Sequence, residues 1–261
     1  MITEQTPILN RSSLKLSSII CRPNAPHSSP AVVILHGFTG FKTEPHISRF
    51  AGDLTSAGYV SVRFDASGFG ESDGEPSSDF RISSYLTDIF DVLSFLKTLA
   101  YVRSDQIGLS GHSLGASLAI VAAGTSNEFM GCCSVQPCTK LPRPTWTRDI
   151  IQWKKQGFMD LESECPQHPS FRLPWQFVED ADRIDARDFV SKIECPLEIM
   201  YGTVDTTVVP SDTISIFELA PPQAKLTALP DVGHFFWEFP EQLTDISSKV
   251  VSFFESCFTA V

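Results

Sequence analysis

The sequence is poor in the features that tie a chain to a membrane, a nucleic acid or a metal. No apolar run approaches the roughly 20 residues that a bilayer-spanning helix requires. Basic residues number 20 against 31 acidic ones, for a formal net charge of −11. That balance argues against nucleic acid or an anionic membrane surface as a partner. Neither His-Glu-x-x-His nor a spaced Cys/His cluster occurs, so no metal site is expected. Gly-Lys-Ser/Thr is also missing, which removes the usual phosphate loop. The seven cysteines are an odd number and include no C-x-x-C pair. Free, buried thiols in a reducing compartment are the expectation, Cys132 and Cys133 lying inside an apolar run. The first ten residues have no basic stretch followed by an apolar core, so no secretory signal is read there and a cytoplasmic location is expected. Asn10-Arg11-Ser12 fits a glycosylation sequon but reads as accidental without such a signal.

What is present is a strand–helix alternation. At 261 residues and 42% hydrophobic content, the chain suits one α/β domain with an insertion. Residues around Leu14 to Ile20 form an extended leading edge strand or hairpin. Ala31 to Leu35 is continuously apolar and β-rich, as a strand buried on both faces should be. A helix from Glu44 to Ala57 stops at Gly58, and Tyr59 to Phe64 is the next strand. Ile82, Tyr85, Leu86, Ile89, Leu93 and Leu96 recur at helical spacing, with Asp79 as the candidate N-cap. The strand Gln106 to Ser110, the helix Ala116 to Ala123 and the strand Cys132 to Val135 follow. After an interruption the alternation resumes with Leu197 to Tyr201, a helix after Pro210, a strand near Ala224 to Leu229 and a helix from Pro240 to about Phe258. A mostly parallel sheet covered on both faces is predicted. Residues 1–137 and 193–261 form its core. Residues 138–192, rich in proline and holding Trp146, Trp153 and Trp175, form an inserted cap with helices at Thr147 to Gln156 and Glu179 to Val190.

In such sheets reactive groups collect beyond the carboxyl ends of the strands. Those ends present His36-Gly37-Phe38, Asp65, Ser113, Asp205 and His234. Gly111-His112-Ser113-Leu114-Gly115 stands between a strand and a helix, the setting that gives G-x-S-x-G its meaning. A serine hydroxyl needs a neighbouring base, an imidazole suits that proton transfer, and a carboxylate on the far ring nitrogen fixes the tautomer. Ser113, Asp205 and His234 supply these types in that chain order. Asp231 is a rival acid, but it lies too close to His234 in sequence to reach the far nitrogen. Backbone N–H groups of Leu114 and Phe38 are the candidate oxyanion donors. His112 should point away from the serine hydroxyl and His36 should brace its loop, while His27, His46 and His168 receive no role. Asp180, Asp182 and Asp185 read as a solvated face. Asp65-x-x-Gly68-x-Gly70-x-Ser72 does not fit G-x-G-x-x-G and reads as a tight, glycine-dependent loop beside the site.

On His36 to Gly40, Asp65 to Ser72, Gly111 to Gly115, Gly202-Thr203-Val204-Asp205 and Gly233-His234, the sequence resembles the α/β-hydrolase superfamily. Its size, the His-Gly-Phe loop and the inserted segment are similar to small carboxylesterases of the cinnamoyl/feruloyl type. The resemblance implies an α/β-hydrolase fold and hydrolysis of a small apolar or aromatic carboxylic ester through an acyl-enzyme. No metal or organic cofactor is implied, the partner is a small-molecule ester, and the expected state is a monomer or homodimer. Phe38, Trp146 and Trp175 are the candidate substrate contacts. The same constellation also suits an aminopeptidase-like amide hydrolase, an acyltransferase, or a ligand receptor with vestigial hydrolysis.

Overall fold

The computed structural model describes residues 1–25, 27–140 and 150–259. The chain opens with the antiparallel pair β1 (Ile2–Leu9) and β2 (Lys15–Arg22). Then come β3 (Ser29–Leu35), α1 (Pro45–Ser56), β4 (Val60–Phe64), α2 (Ile82–Leu96), β5 (Val102–His112), α3 (Leu114–Thr125) and β6 (Gly131–Val135). Residues 138–192 contribute α4 (Ile150–Gln156), the antiparallel hairpin β7 (Phe158–Glu162) and β8 (Ser170–Pro174), α5 (Trp175–Ala181) and α6 (Arg187–Val190). The chain closes with β9 (Leu197–Gly202), α7 (Pro210–Phe217), β10 (Lys225–Leu229) and α8 (Pro240–Thr259). The main sheet runs β1-β2-β4-β3-β5-β6-β9-β10 and is parallel from β4 onward.

Alternation along β3 explains the layers. Ala31, Val33 and Leu35 face one apolar cluster, shared with α2 and α3. Val32 and Ile34 face the other, shared with α1 and α8. Successive side chains of a strand point to opposite faces, so a strand covered on both must be apolar throughout. Every residue of β3 is buried. α1 turns Ile47, Phe50 and Leu54 to the sheet and α8 turns Ile246, Val250 and Phe254. Among the described residues, no helix is long and apolar enough to cross a membrane.

Several local expectations are corrected. α2 begins at Ile82, and Asp79 does not cap it. Asp79 instead accepts from the Glu75 N–H and the Ser78 hydroxyl in the preceding turn. The N-terminal donors of α2 are met from far away, where Asp180 accepts from the Ser83 N–H at 2.9 Å and the Ser83 hydroxyl at 2.6 Å. Asp180 is therefore a docking residue rather than part of a solvated face, and Asp185 is buried and paired with Arg187 at 2.7 Å. The helix expected over Glu179 to Val190 is two short ones, and the β7–β8 hairpin was not anticipated. Of the helix expected over Thr147 to Gln156, the part from Ile150 to Gln156 is helical, and residues 147–149 lie outside the described residues. Asn10 of the sequon is buried and donates to Ser67 and Asp88, so its amide is a structural tie.

The passage from β5 into α3 is a close backbone approach. A Cβ on Gly115 would overlap the carbonyl oxygens of Leu35 and His36, and one on Gly111 would overlap the Gly115 carbonyl group. Helix α3 can approach β3 this closely only with glycine there. Gly115→Ala is accordingly expected to cost about 2 kcal/mol through overpacking, read as a lowered urea midpoint. An unchanged midpoint would show that the contact is not limiting.

Candidate active site

The loops after β5, β9 and β10 bring Ser113, Asp205 and His234 together. Ser113 holds φ 56 and ψ −119, a left-handed conformation unusual for serine. Its N–H donates to Val135 O at 3.0 Å, so its backbone is fixed from β6. The Ser113 Oγ lies 3.1 Å from His234 Nε2. His234 Nδ1 lies 2.8 Å from Asp205 Oδ2. Asp205 accepts only, so Nδ1 carries the proton and Nε2 is left to accept from the serine hydroxyl. The other Asp205 oxygen accepts from Thr207 N–H at 2.8 Å and Val208 N–H at 2.9 Å. These three residues are nearly removed from water, with relative exposures of 5%, 3% and 8% for Ser113, Asp205 and His234. Such a chain can draw the hydroxyl proton onto imidazole as a nucleophile attacks, and the carboxylate stabilises the imidazolium that forms. Asp231, at φ 56, is turned into a different contact, its N–H donating to Thr203.

Leu114 is the first residue of α3, where helical N–H groups have no partner within the helix. The turn from Gly37 to Gly40, closed by Gly40 N–H on Gly37 O at 3.1 Å, brings Phe38 to the rim of the same cavity. That cavity has a volume of about 390 Å³. Phe38, Phe235 and Trp237 form its aromatic side, with Ser113, His112 and His234 at its floor. Glu44, Glu162 and Glu164 also face it.

Of the expected substrate contacts, Phe38 is there, while Trp146 lies outside the described residues. Trp175 is not among the lining residues; it stands edge-on to Trp153 at 6.2 Å, with Lys154 over its ring. Trp153 is buried and donates to Leu173 O, and the half-buried Trp175 packs against it. The sequence reading missed Phe235 and Trp237, although they follow His234 directly. It also missed Glu44, which precedes α1, and Glu162 and Glu164, which come from the end of β7 and the connection after it.

His36, His112 and His46 are held neutral. His36 donates from Nδ1 to Gly37 O and accepts at Nε2 from Ala66 N–H, bracing the two loops, and burial lowers its pKa. His112 Nε2 meets Gln136 Oε1 at 3.1 Å, and burial first, then the neighbouring His234, holds its pKa well below the usual value. His46 stacks on Trp237 at 4.0 Å and is pushed down to about 3 by burial. Gln136 was not singled out in the sequence. At φ 53 it also donates to Gly233 O at 2.9 Å, tying His112 to the His234 loop. Glu44 behaves oppositely: burial, with Glu164 and Asp65 adding repulsion, pushes its carboxyl up to about 8 despite a bond from Phe41 N–H. Among the described residues, no group of three or more His, Cys, Asp or Glu side chains is arranged to hold a metal ion.

Comparison with known proteins agrees with this geometry at the level of fold and family. Est1E of Butyrivibrio proteoclasticus, solved with ferulic acid bound, superposes with a TM-score of 0.78 at 24% identity, covering 96% of this chain and 98% of that one. The α/β hydrolase GrgF of Penicillium sp. sh18 superposes at 0.85 with 18% identity, covering 98% and 99%. At these identities the likeness is one of fold. Among curated proteins, the 2,6-dihydropseudooxynicotine hydrolase of Paenarthrobacter nicotinovorans is 25% identical over 210 residues, 76% of this chain and 50% of its own length. A thiohydrolase of Arthrinium phaeospermum is 35% identical over 165 residues, 61% of this chain and 51% of its own. The chain thus spans about half the length of these curated relatives. The family model for serine aminopeptidases (S33) matches residues 26–161, just over half of the sequence. The chain belongs to that family, within the α/β-hydrolase superfamily.

Proposed function

We propose that the protein is a serine hydrolase of small carboxylic esters. The observation that carries this reading is the continuous Ser113–His234–Asp205 hydrogen-bond chain at the floor of an aromatic-sided cavity. Ser113 attacks the ester carbonyl as His234 Nε2 takes its proton, and Asp205 holds the imidazolium. The N–H groups of Phe38 and Leu114 stabilise the oxyanion, a contribution worth about 3 kcal/mol per donor in comparable sites. His234 then protonates the departing alcohol, and water, deprotonated by the same imidazole, releases the acid from the acyl-enzyme. Residues 138–192 act as a cap, with Phe38, Phe235 and Trp237 favouring an apolar or aromatic acyl or alcohol group. The hydrolase and thiohydrolase relatives support acyl transfer to water as the chemistry.

A second reading, hydrolysis of an aminoacyl amide, is favoured by one observation. Glu162 and Glu164 face the cavity, and carboxylates there suit a substrate amine. Comparison of kcat/KM on matched p-nitrophenyl esters and aminoacyl anilides separates the two. The ester reading expects esters ahead by at least tenfold.

Ser113→Ala is expected to lower turnover by about 10³-fold or more while leaving the melting temperature unchanged or raised, since a left-handed serine is not retained for stability. Fluorophosphonate labelling followed by peptide mass spectrometry checks the assignment. Labelling at another residue, or an alanine variant with most of its activity, would overturn it.

Glu44 gives a pH signature. With its carboxyl at about 8, the group is neutral at pH 7 and ionises above pH 8. An anion on the oxyanion turn opposes the charge developing in the transition state, so kcat/KM should fall as pH rises past 8. Glu44→Gln should abolish that decline. Because the folded-state pKa is raised, the fold binds this proton more tightly than the unfolded chain. Stability should therefore decrease as pH rises from about 4.5 to about 8, with a shallower decrease in the variant.

A further inference from the structure

Lys42 is a buried cation that the hydrolytic relay does not use. Only 3% of its side chain is exposed, and an ammonium taken that far from water persists only when paired. Its Nζ lies 2.6 Å from Asp65 Oδ2 and 2.6 Å from Glu71 Oε2. Asp65 also receives the main chain on both sides. Lys42 N–H donates to its Oδ1 at 2.6 Å and Glu71 N–H to its Oδ2 at 2.9 Å. One carboxylate thus gathers the end of the turn that begins at Gly37 and the far side of the 65–72 loop. Gly70 stands at φ 59, and a Cβ there would overlap the Asp65 carboxylate, which accounts for a glycine in that loop. Ser72 completes the knot by donating to Asp65 O at 2.7 Å and accepting from Ser17 N–H at 2.8 Å.

The knot reaches in two directions. Toward the cavity, Lys42 follows Phe38-Thr39-Gly40-Phe41, a stretch in which Thr39 holds φ 60. The Phe38 ring stacks on Phe80 at 6.0 Å, and Phe80 stacks on Phe69 of the 65–72 loop at 4.9 Å. Away from it, the other Glu71 oxygen accepts from Gln167 at 3.4 Å, and Phe69 stacks on His168 at 5.1 Å. Gln167 and His168 lie in the connection between β7 and β8, just after the cavity-lining Glu162, Ser163 and Glu164. The turn carrying Phe38, through Lys42, and the hairpin over the cavity, through Gln167, are therefore both tied to Glu71.

We propose that Lys42, through Asp65 and Glu71, is a positioning residue that holds the Phe38 N–H where the oxyanion forms and registers that turn against the β7–β8 hairpin. This rests on the serine-hydrolase reading above. Its signature is a loss concentrated in the transition state, because Phe235 and Trp237, which line the cavity from the His234 loop, do not depend on the ion pairs. Misplacing one donor by a fraction of an ångström should lower kcat about 10- to 100-fold with KM within twofold.

Lys42→Met alone leaves the Asp65 charge buried and unpaired, so the decisive variant is the charge-balanced Lys42→Met/Asp65→Asn, accompanied by Glu71→Gln at a half-exposed position. The readouts are kcat and KM on a p-nitrophenyl ester, the Kd of an arylboronate that forms a tetrahedral adduct with serine, and the Kd of the product acid. The expected result is a fall in kcat matched by an equal weakening of boronate binding, with KM and product binding unchanged and Glu71→Gln milder in the same pattern. A folded double variant with wild-type kcat and boronate affinity overturns the proposal. So does a loss shared equally by product binding, which would mark a collapsed cavity. If the double variant does not fold, Glu71→Gln decides, and wild-type boronate affinity there is the overturning result. A wild-type protein that neither hydrolyses the ester nor binds the boronate removes the serine-hydrolase reading itself, and the proposal with it.

Discussion

The site depends on one strained backbone. Ser113 at φ 56 and ψ −119 occupies a region that costs of order 1–3 kcal/mol, and it is kept there by surroundings that admit no relaxed alternative. Its N–H is taken by Val135 O, its carbonyl by Ser117 N–H, and the Ser117 hydroxyl reaches on to Cys138 O. Ser134 of β6 donates to Ala116 O from the other side. The glycine contacts at Gly111 and Gly115 press the same turn against β3. With the elbow fixed by neighbours on both sides, the hydroxyl points at His234 without side-chain rearrangement.

Environment then distinguishes chemically identical side chains. His234, His112 and His46 form a row with ring centroids 4.7 and 4.8 Å apart. Only His234 has a carboxylate on its far nitrogen. His112 faces an uncharged amide and His46 an indole, and burial keeps both neutral. A proton drawn from Ser113 therefore has one favourable resting place. The carboxyl groups divide in the same way, with Asp205 supplied with three hydrogen bonds and Glu44 left in a poor environment for charge.

How much of this could be read beforehand follows from the range of each interaction. The strand β3 is written locally, because burial on both faces forces an apolar run, and β5 and β9 carry shorter apolar stretches of the same kind. The residues at their ends then follow from position alone. Contacts across the fold leave no such trace. Asp79 looked like the cap of α2 because an aspartate preceded an apolar periodicity, whereas the group that meets those donors is Asp180, far along the chain. Lys42, Asp65 and Glu71 are ordinary charges in sequence and become a knot only when two loops fold together. Trp175 is a large aromatic near the expected cavity, yet its half-buried ring packs edge-on against Trp153 instead. The β7 and β8 strands are five residues each, so their alternation is too short to stand out in a stretch interrupted by prolines.

The register of β6 against β9 has a further consequence. Cys132 pairs with Leu197 and Val135 with Met200, so the strands on either side of residues 138–192 are immediate neighbours in the sheet. Everything between them leaves the sheet and returns to the adjacent lane. The distance from Ser113 to Asp205 in space is therefore decoupled from the length of chain that separates them. A lineage can lengthen, shorten or exchange that excursion, and with it the walls above the serine, without moving the machinery below. Variation in substrate and constancy in chemistry become separable properties of a single polypeptide.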